Sequence, residues 1–197
     1  TEPTKDEQGY YQISTGAELA YFQNQSMQKA KLMCDIDLGE HPFTPISNVV
    51  EFDGCGHTIR GLNAVGKAYV GLFQAISSKC EIKNLTIENA VVKASNNDAR
   101  VGILVGDVYD SLTVENCYVS GTIETTDGTN KIEAAGGLIG NVREKYSVEI
   151  QSCYADAKIK GTTDKGFAGG LVGWTGGTTT IDNSYAVVDM DVDKGYY

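Results

Sequence analysis

Five cysteines and two histidines are the residues of this 197-residue chain best able to hold a metal or form a covalent bond. The histidines are His41 and His57. No C-x-x-C or H-x-x-x-H spacing joins them to Cys34, Cys55, Cys80, Cys117 or Cys153, so a zinc site is not expected. An odd cysteine count cannot close into a complete disulfide framework. Cys117 and Cys153 sit at equivalent positions of a repeat. Stacked 4.8 Å apart, they suit buried thiols better than a disulfide, whose Cβ atoms stand about 3.8 Å apart. Cys34 and Cys80 share parity with aliphatic neighbours and are expected to be buried. Cys55 falls at a turn tip near His57, with a reactive role disfavoured.

Carboxylates offer two further chemistries. The stretch "DMDVDKG", Asp189 to Gly195, resembles the opening of a calcium loop, but its glycine comes one place late and the distal glutamate is missing. It reads better as a strand with Met190 and Val192 inside. Asp156, Lys158 and Lys160 share one strand with Glu124, Asp189 and Asp191 nearby, a mixture a glycan-cleaving enzyme could use. No acid–base pair stands out from an ordinary solvated face. Outward tyrosines, Tyr118, Tyr154 and Tyr185, form the one aromatic series, suited to contact with a sugar or a protein, or to stabilising the sheet's own surface. No catalytic residue, metal site or cofactor is expected.

The elements that hold these residues follow from an internal repeat. Four blocks, "YVGLFQA", "VGILVGD", "AGGLIGN" and "AGGLVGW", place Leu72, Leu104, Leu138 and Leu171 at spacings of 32, 34 and 33 residues. Around them recur Gly71; Gly102 and Gly106; Gly136, Gly137 and Gly140; and Gly169, Gly170 and Gly173. After each block comes a second: "IKNLTIENAVV", "VENCYVSGTIE", "IQSCYADAKIK" and "IDNSYAVVDMD". These alternate apolar and polar, with Leu85, Ile87 and Val91 on one parity in the first copy, and Cys117, Val119 and Ile123 in the next. Period two means half-buried strands and excludes helical arrays. A propeller blade would need four strands per repeat.

The fold expected is all-β, a right-handed parallel β-helix with a short N-terminal capping helix. Equivalent side chains would then stack in ladders. The repeated glycines would mark a narrow face or a corner needing positive φ. Thr15 and Glu18 have capping-box spacing before Leu19 and Phe22, which predicts a helix from about Ala17 to Asn24. Residues 1–9 are read as a tail, 10–66 as cap and first coil, and 67–197 as the repeats of the same domain. Two loop stacks are expected: Ser95–Asp98, Thr125–Lys131 and Thr162–Gly166; and Asp107–Ser111, Arg143–Ser147 and Thr175–Thr178. Variable loops on one side of a regular scaffold are where solenoids bind.

Sixteen basic against 26 acidic residues give a net charge of −10, which disfavours nucleic acid and anionic membranes. No apolar run reaches membrane-span length, so no insertion is expected in this segment. The polar start, "TEPTKDEQGYY", reads as a trimmed end, so a missing leader does not indicate the cytoplasm.

The segments "GAELAYF", "CDIDLGEHPFTPIS", "FDGCGHTIRGL", "VGLF", "AGGLIG", "ENCYVSG" and "AGGLVG" together resemble the bacterial GLUG-motif proteins. The motif core is Gly137-Leu138-Ile139-Gly140 and Gly170-Leu171-Val172-Gly173, and the resemblance runs from about Tyr10 to Asp191. Gln74 and Ile103 depart from it, each replacing a glycine. The resemblance implies a parallel β-helix of a secreted or surface-attached bacterial protein, often of gut bacteria. Members include adhesin-like proteins and IgA-peptidase chains outside their catalytic part. It carries over no catalytic residue. It implies a binding or spacer role, with a host surface protein or glycan as partner, in a monomer or a longer chain.

Overall fold

The computed structural model describes residues 1–25, 28–47, 49–127, 131–191 and 195–196, with 162–165 and 195–196 described by their backbone. The strands wind into a parallel β-helix with four sheets. Sheet one orders Tyr11–Ile13, Gln28–Leu32, Val49–Asp53, Cys80–Lys83, Leu112–Glu115, Ser147–Gln151 and Thr178–Asp182. Sheet two stacks Ile36–Asp37, Thr58–Arg60, Thr86–Ala94, Tyr118–Thr125, Tyr154–Lys160 and Tyr185–Asp191, with Pro42–Phe43 and Asn63–Gly66 beside them. Sheet three holds Tyr69–Val70, Ala99–Gly102, Ile132–Gly136, Thr162–Gly169 and Gly195–Tyr196. Sheet four holds Phe73–Ile76, Val105–Val108, Ile139–Val142 and Val172–Thr175. A coil visits sheets three, four, one and two in turn.

Stacking puts equivalent residues in register. Phe52, Ile82, Val114, Ile150 and Ile181 form one ladder, and Ile87, Val119, Ala155 and Ala186 another. Ile82, Val114 and Ile150 are buried, each worth about 1.5–3 kcal/mol of removal from water. Leu72, Leu104, Leu138 and Leu171 are all buried beneath the glycine blocks.

The glycines work by close approach. Within a coil, the sheet-three and sheet-four strands fold back on each other across the glycine block. A methyl on Gly140 would stand 2.5 Å from both Val101 N and Gly106 O. None of the repeat glycines has positive φ, so the narrow face, and not a left-handed turn, accounts for them. The left-handed positions lie instead at the corner between sheets one and two. Asn84, Asn116, Ser152 and Asn183 take φ of 52°, 51°, 52° and 48°. Asparagine tolerates that conformation. Asn116 Nδ2 donates to Asn84 Oδ1 at 3.3 Å, and Asn84 Nδ2 to Asp53 Oδ1 at 3.1 Å, so the corner is tied from coil to coil.

The helix spans Gly16–Tyr21 and continues as a single 3-10 turn, Phe22–Asn24. The capping box is complete: Glu18 N–H donates to Thr15 Oγ1 at 3.2 Å, and Thr15 N–H donates to Glu18 Oε2 at 3.1 Å. Leu19 and Phe22 point inward, and Tyr11 meets Phe22 edge-on at 5.0 Å. Before the first coil, Lys5 bridges to Tyr11 and Asp6 pairs with Lys31.

Three local expectations are corrected. Ala90, Val92 and Ala94 are the buried residues of their strand, and Val91 is not. An extra residue, Asn89 at φ 55°, bulges the strand between Ile87 and Ala90 and reverses the parity. Cys34 is exposed, with its Sγ on Ser14 O at 3.2 Å, because the chain turns between Leu32 and Ile36. Thr162–Gly166 belongs to a strand, Thr162–Gly169, and is not a loop.

Candidate functional site

The most concentrated polar chemistry lies where sheets three and four meet the second loop stack. Asp107 occupies the outward side of the strand Val105–Val108, yet its side chain is fully buried. Sequence reading placed it at the start of a loop; the coil instead keeps it inside a strand and covers it. A buried carboxylate needs every oxygen satisfied. Oδ1 accepts from Val108 N–H at 2.9 Å and from Asn141 Nδ2 at 2.7 Å. Oδ2 accepts from Arg143 Nε at 3.0 Å and Nη2 at 2.9 Å. Arg143 also donates to Tyr69 Oη at 3.1 Å and lies 4.2 Å over the Tyr109 ring. Tyr109 donates to Tyr69 Oη at 2.7 Å, and burial with that hydrogen bond raises its hydroxyl pKa. Arg100, held 2.6 Å from Glu133, completes the rim.

Two ladders converge here. Sheet four reads Ala75, Asp107, Asn141 and Trp174 in register. Sheet three reads Tyr69, Arg100, Ala134 and Phe167. Ala134 is the small rung between Arg100 and Phe167, and beside it opens a cavity of about 550 Å³. That is within the range of small-molecule sites, roughly 300–1,000 Å³. Arg100, Tyr109, Asn141, Arg143, Phe167 and Trp174 line it, with residues 144–146 of the loop stack as its outer wall. Phe167 and Trp174 sit 6.2 Å apart, tilted by 44°. Asn141 is buried, and its Oδ1 has no hydrogen-bond partner.

The tyrosine series forms a ladder on sheet two. Tyr118 and Tyr154 stack at 5.0 Å, and Tyr154 and Tyr185 lie 4.4 Å apart. Their faces are largely turned to one another. A more open hollow of about 470 Å³ lies alongside, bounded by Asn89, Ser120, Asp156 and Lys158. The carboxylates weighed for catalysis are mostly tied to cations. Lys158 pairs with Asp189 at 2.7 Å, while Glu124 takes Lys93 at 3.2 Å and Lys160 at 3.6 Å. Of "DMDVDKG", residues 192–194, Val192 included, lie outside the described residues.

Cys80, Cys117 and Cys153 are buried free thiols. Burial pushes Cys80 up to about 12, and contact with Cys153 together with burial raises Cys117, which makes both poor nucleophiles. Cys55 is exposed at φ 51°, as its turn-tip position implied, and burial of part of its thiol raises its pKa. His57 Nδ1 lies 3.4 Å from Asp35 Oδ1.

No family model matches the chain. It is 30% identical over 167 residues to halomucin of Haloquadratum walsbyi, an alignment covering 74% of this chain and 2% of halomucin. The chain therefore corresponds to a very small part of that protein's length. Among solved structures it is similar to a protein of Bacteroides ovatus provisionally named an immunoglobulin A1 protease. That likeness has a TM-score of 0.57 and covers 96% of this chain and 79% of the other, at 14% identity. It establishes the shared solenoid fold. No helix among the described residues is long and apolar enough to cross a membrane.

Proposed function

We propose that the chain is a non-catalytic binding module of a secreted or cell-surface bacterial protein, of the GLUG-motif kind, which engages a host or glycan ligand. The observation that carries this reading is the cavity at the Asp107–Asn141–Trp174 ladder. A rigid repeat has there given up uniform packing for a recess with an aromatic wall and a polar floor. The arrangement of the charges supports binding over catalysis. Asp107 is saturated by Asn141, Arg143 and a backbone amide, and Glu133 is held by Arg100, so neither is poised to move a proton. The likeness to a short stretch of halomucin supports a module within a much longer chain.

A mixed array of glycans, mucins and host-matrix proteins tests the reading, and retention on at least one class is the expected result. Silence on all of them would favour the second reading, a spacer that holds other domains apart, which the continuous ladder of buried aliphatics would serve equally well. Cleavage of a polysaccharide that disappears in Asp156→Ala or Glu124→Ala would overturn the non-catalytic assignment.

A further inference from the structure

We infer that the Asn141 cavity takes an uncharged sugar ring, held against the Trp174–Phe167 wall with a hydroxyl donating to Asn141 Oδ1. The inference rests on the binding reading above and names the ligand class and the place.

Asp107 sets the orientation of the amide. Its Oδ1 is an acceptor, so the group 2.7 Å away must be the Asn141 NH₂. The carbonyl is left on the other branch of the same planar amide, buried and without a donor. Buried acceptors are almost always satisfied, and an orphan at a cavity lining points to a missing partner. That partner must donate a hydrogen bond: a hydroxyl, an amide N–H or an ammonium.

Charge narrows the choice. Around the recess, Arg100, Arg143 and Lys145 are positive, and Asp107, Glu133 and Glu144 are negative. The two arginines are already neutralised by Glu133 and Asp107. A carboxylated or sulfated ligand finds no uncommitted arginine fork and meets a carbonyl oxygen at the floor. An ammonium meets three cations. A neutral polyol has no such conflict. The aromatic wall selects further, because the C–H face of a pyranose lies flat on an indole or phenyl ring. Tyr109 is less suited to this, since Arg143 already covers one of its faces at 4.2 Å.

The repeat adds an independent argument. Leucine fills the core position of all four glycine blocks, whereas three residues later the chain carries Ala75, Asp107, Asn141 and Trp174. The scaffold therefore does not dictate this rung.

The test is calorimetry or array binding with the purified chain against neutral, sialylated and sulfated glycans. Saturation-transfer NMR with methyl hexosides shows whether a single free ring suffices or a chain end is needed. Neutral glycans should bind. Trp174→Ala and Asn141→Leu should each weaken binding by about tenfold or more, and Tyr154→Ala should leave it unchanged. Circular dichroism and thermal unfolding confirm the fold of each variant, and Trp174→Ala, at a half-buried side chain, carries the test should Asn141→Leu destabilise the coil. Neutral binding that only Tyr154→Ala weakens would move the site to sheet two and overturn this inference while sparing the binding reading. Preference for charged glycans, or retention of host proteins alone, would do the same. Silence on every ligand would remove both.

Discussion

The two ends of the solenoid treat one ladder very differently. At the first coil the helix Gly16–Tyr21 lies across the end, and Leu19 and Phe22 are fully buried. At the last coil, Ile181 continues the ladder of Ile82, Val114 and Ile150 but is 48% exposed. Ala186 and Val188 keep inward parity there and are only partly buried. The residue type is the same, so burial comes from the neighbouring coil. Stability in such a fold is close to a sum of coil-to-coil terms.

Substitutions at matched positions of inner and outer coils test that statement. The largest contrast is expected at the glycine block. A side chain on Gly137 would strike Gly170 O and stand 2.9 Å from Ala155 Cβ, whereas Gly170 meets only the side chains of Ala186 and Val188. Gly137→Val should cost more than about 4 kcal/mol or prevent folding, and Gly170→Val about 1–3 kcal/mol, by denaturant unfolding. Ile103→Val, where the second coil already carries a buried side chain, should cost only about 0.5–1.5 kcal/mol. Equal losses at Gly137 and Gly170 would break the contrast.

Next in size is the aliphatic ladder. Ile150→Ala should lose about 2–5 kcal/mol, and Ile181→Ala under about 1 kcal/mol, since much of its side chain already faces water. Hydrogen exchange should report the same order, with amides of Ser147–Gln151 protected longer than those of Thr178–Asp182. At the capped end, Thr15→Ala should cost about 1 kcal/mol through loss of the capping box, visible first as faster exchange in Gly16–Tyr21.

The smallest effect is acid sensitivity. The hydrogen bond from Lys31 lowers the Asp6 pKa, and the Thr58 amide followed by Arg60 lowers that of Asp35. A depressed carboxylate contributes stability that is complete above its unfolded pKa, near 3.9. That contribution disappears as pH falls through the folded value. Acidification below about pH 4 should therefore loosen the first coils, and Asp6→Asn should flatten part of that dependence. A capped end that is no more acid-sensitive in the wild type than in Asp6→Asn would show the ion pair to be idle.

Much of this architecture was legible because a repeat states its register openly. Four leucines at near-constant spacing placed the coils, and Thr15 with Glu18 placed the cap. What failed was local. The run Ala90, Val91 and Val92 is apolar at every position, so alternation could not reveal the bulge at Asn89. Cys34 follows the parity of Leu32 and Ile36, but the chain turns there. The cavity was half visible: its outer wall, Arg143–Ser147, was expected as a loop stack. The floor was overlooked because Asp107, Asn141 and Trp174 look unrelated until the residue after each closing glycine is compared. Only stacking turns a separation of some thirty residues into hydrogen-bond distance.

The ladders also constrain how such a chain can change in length. Adding or removing one whole coil, about 33 residues, keeps every rung in phase; a change of one or two residues inside a strand would turn its core outward. Short changes fit only in connections such as those joining sheets two and three, which already run to four residues after Ala94, six after Thr125 and one after Lys160. Duplication of the coil that carries Asn141 would copy its recess along with its core. Growth by that route would yield a row of recesses at a spacing set by the strand separation.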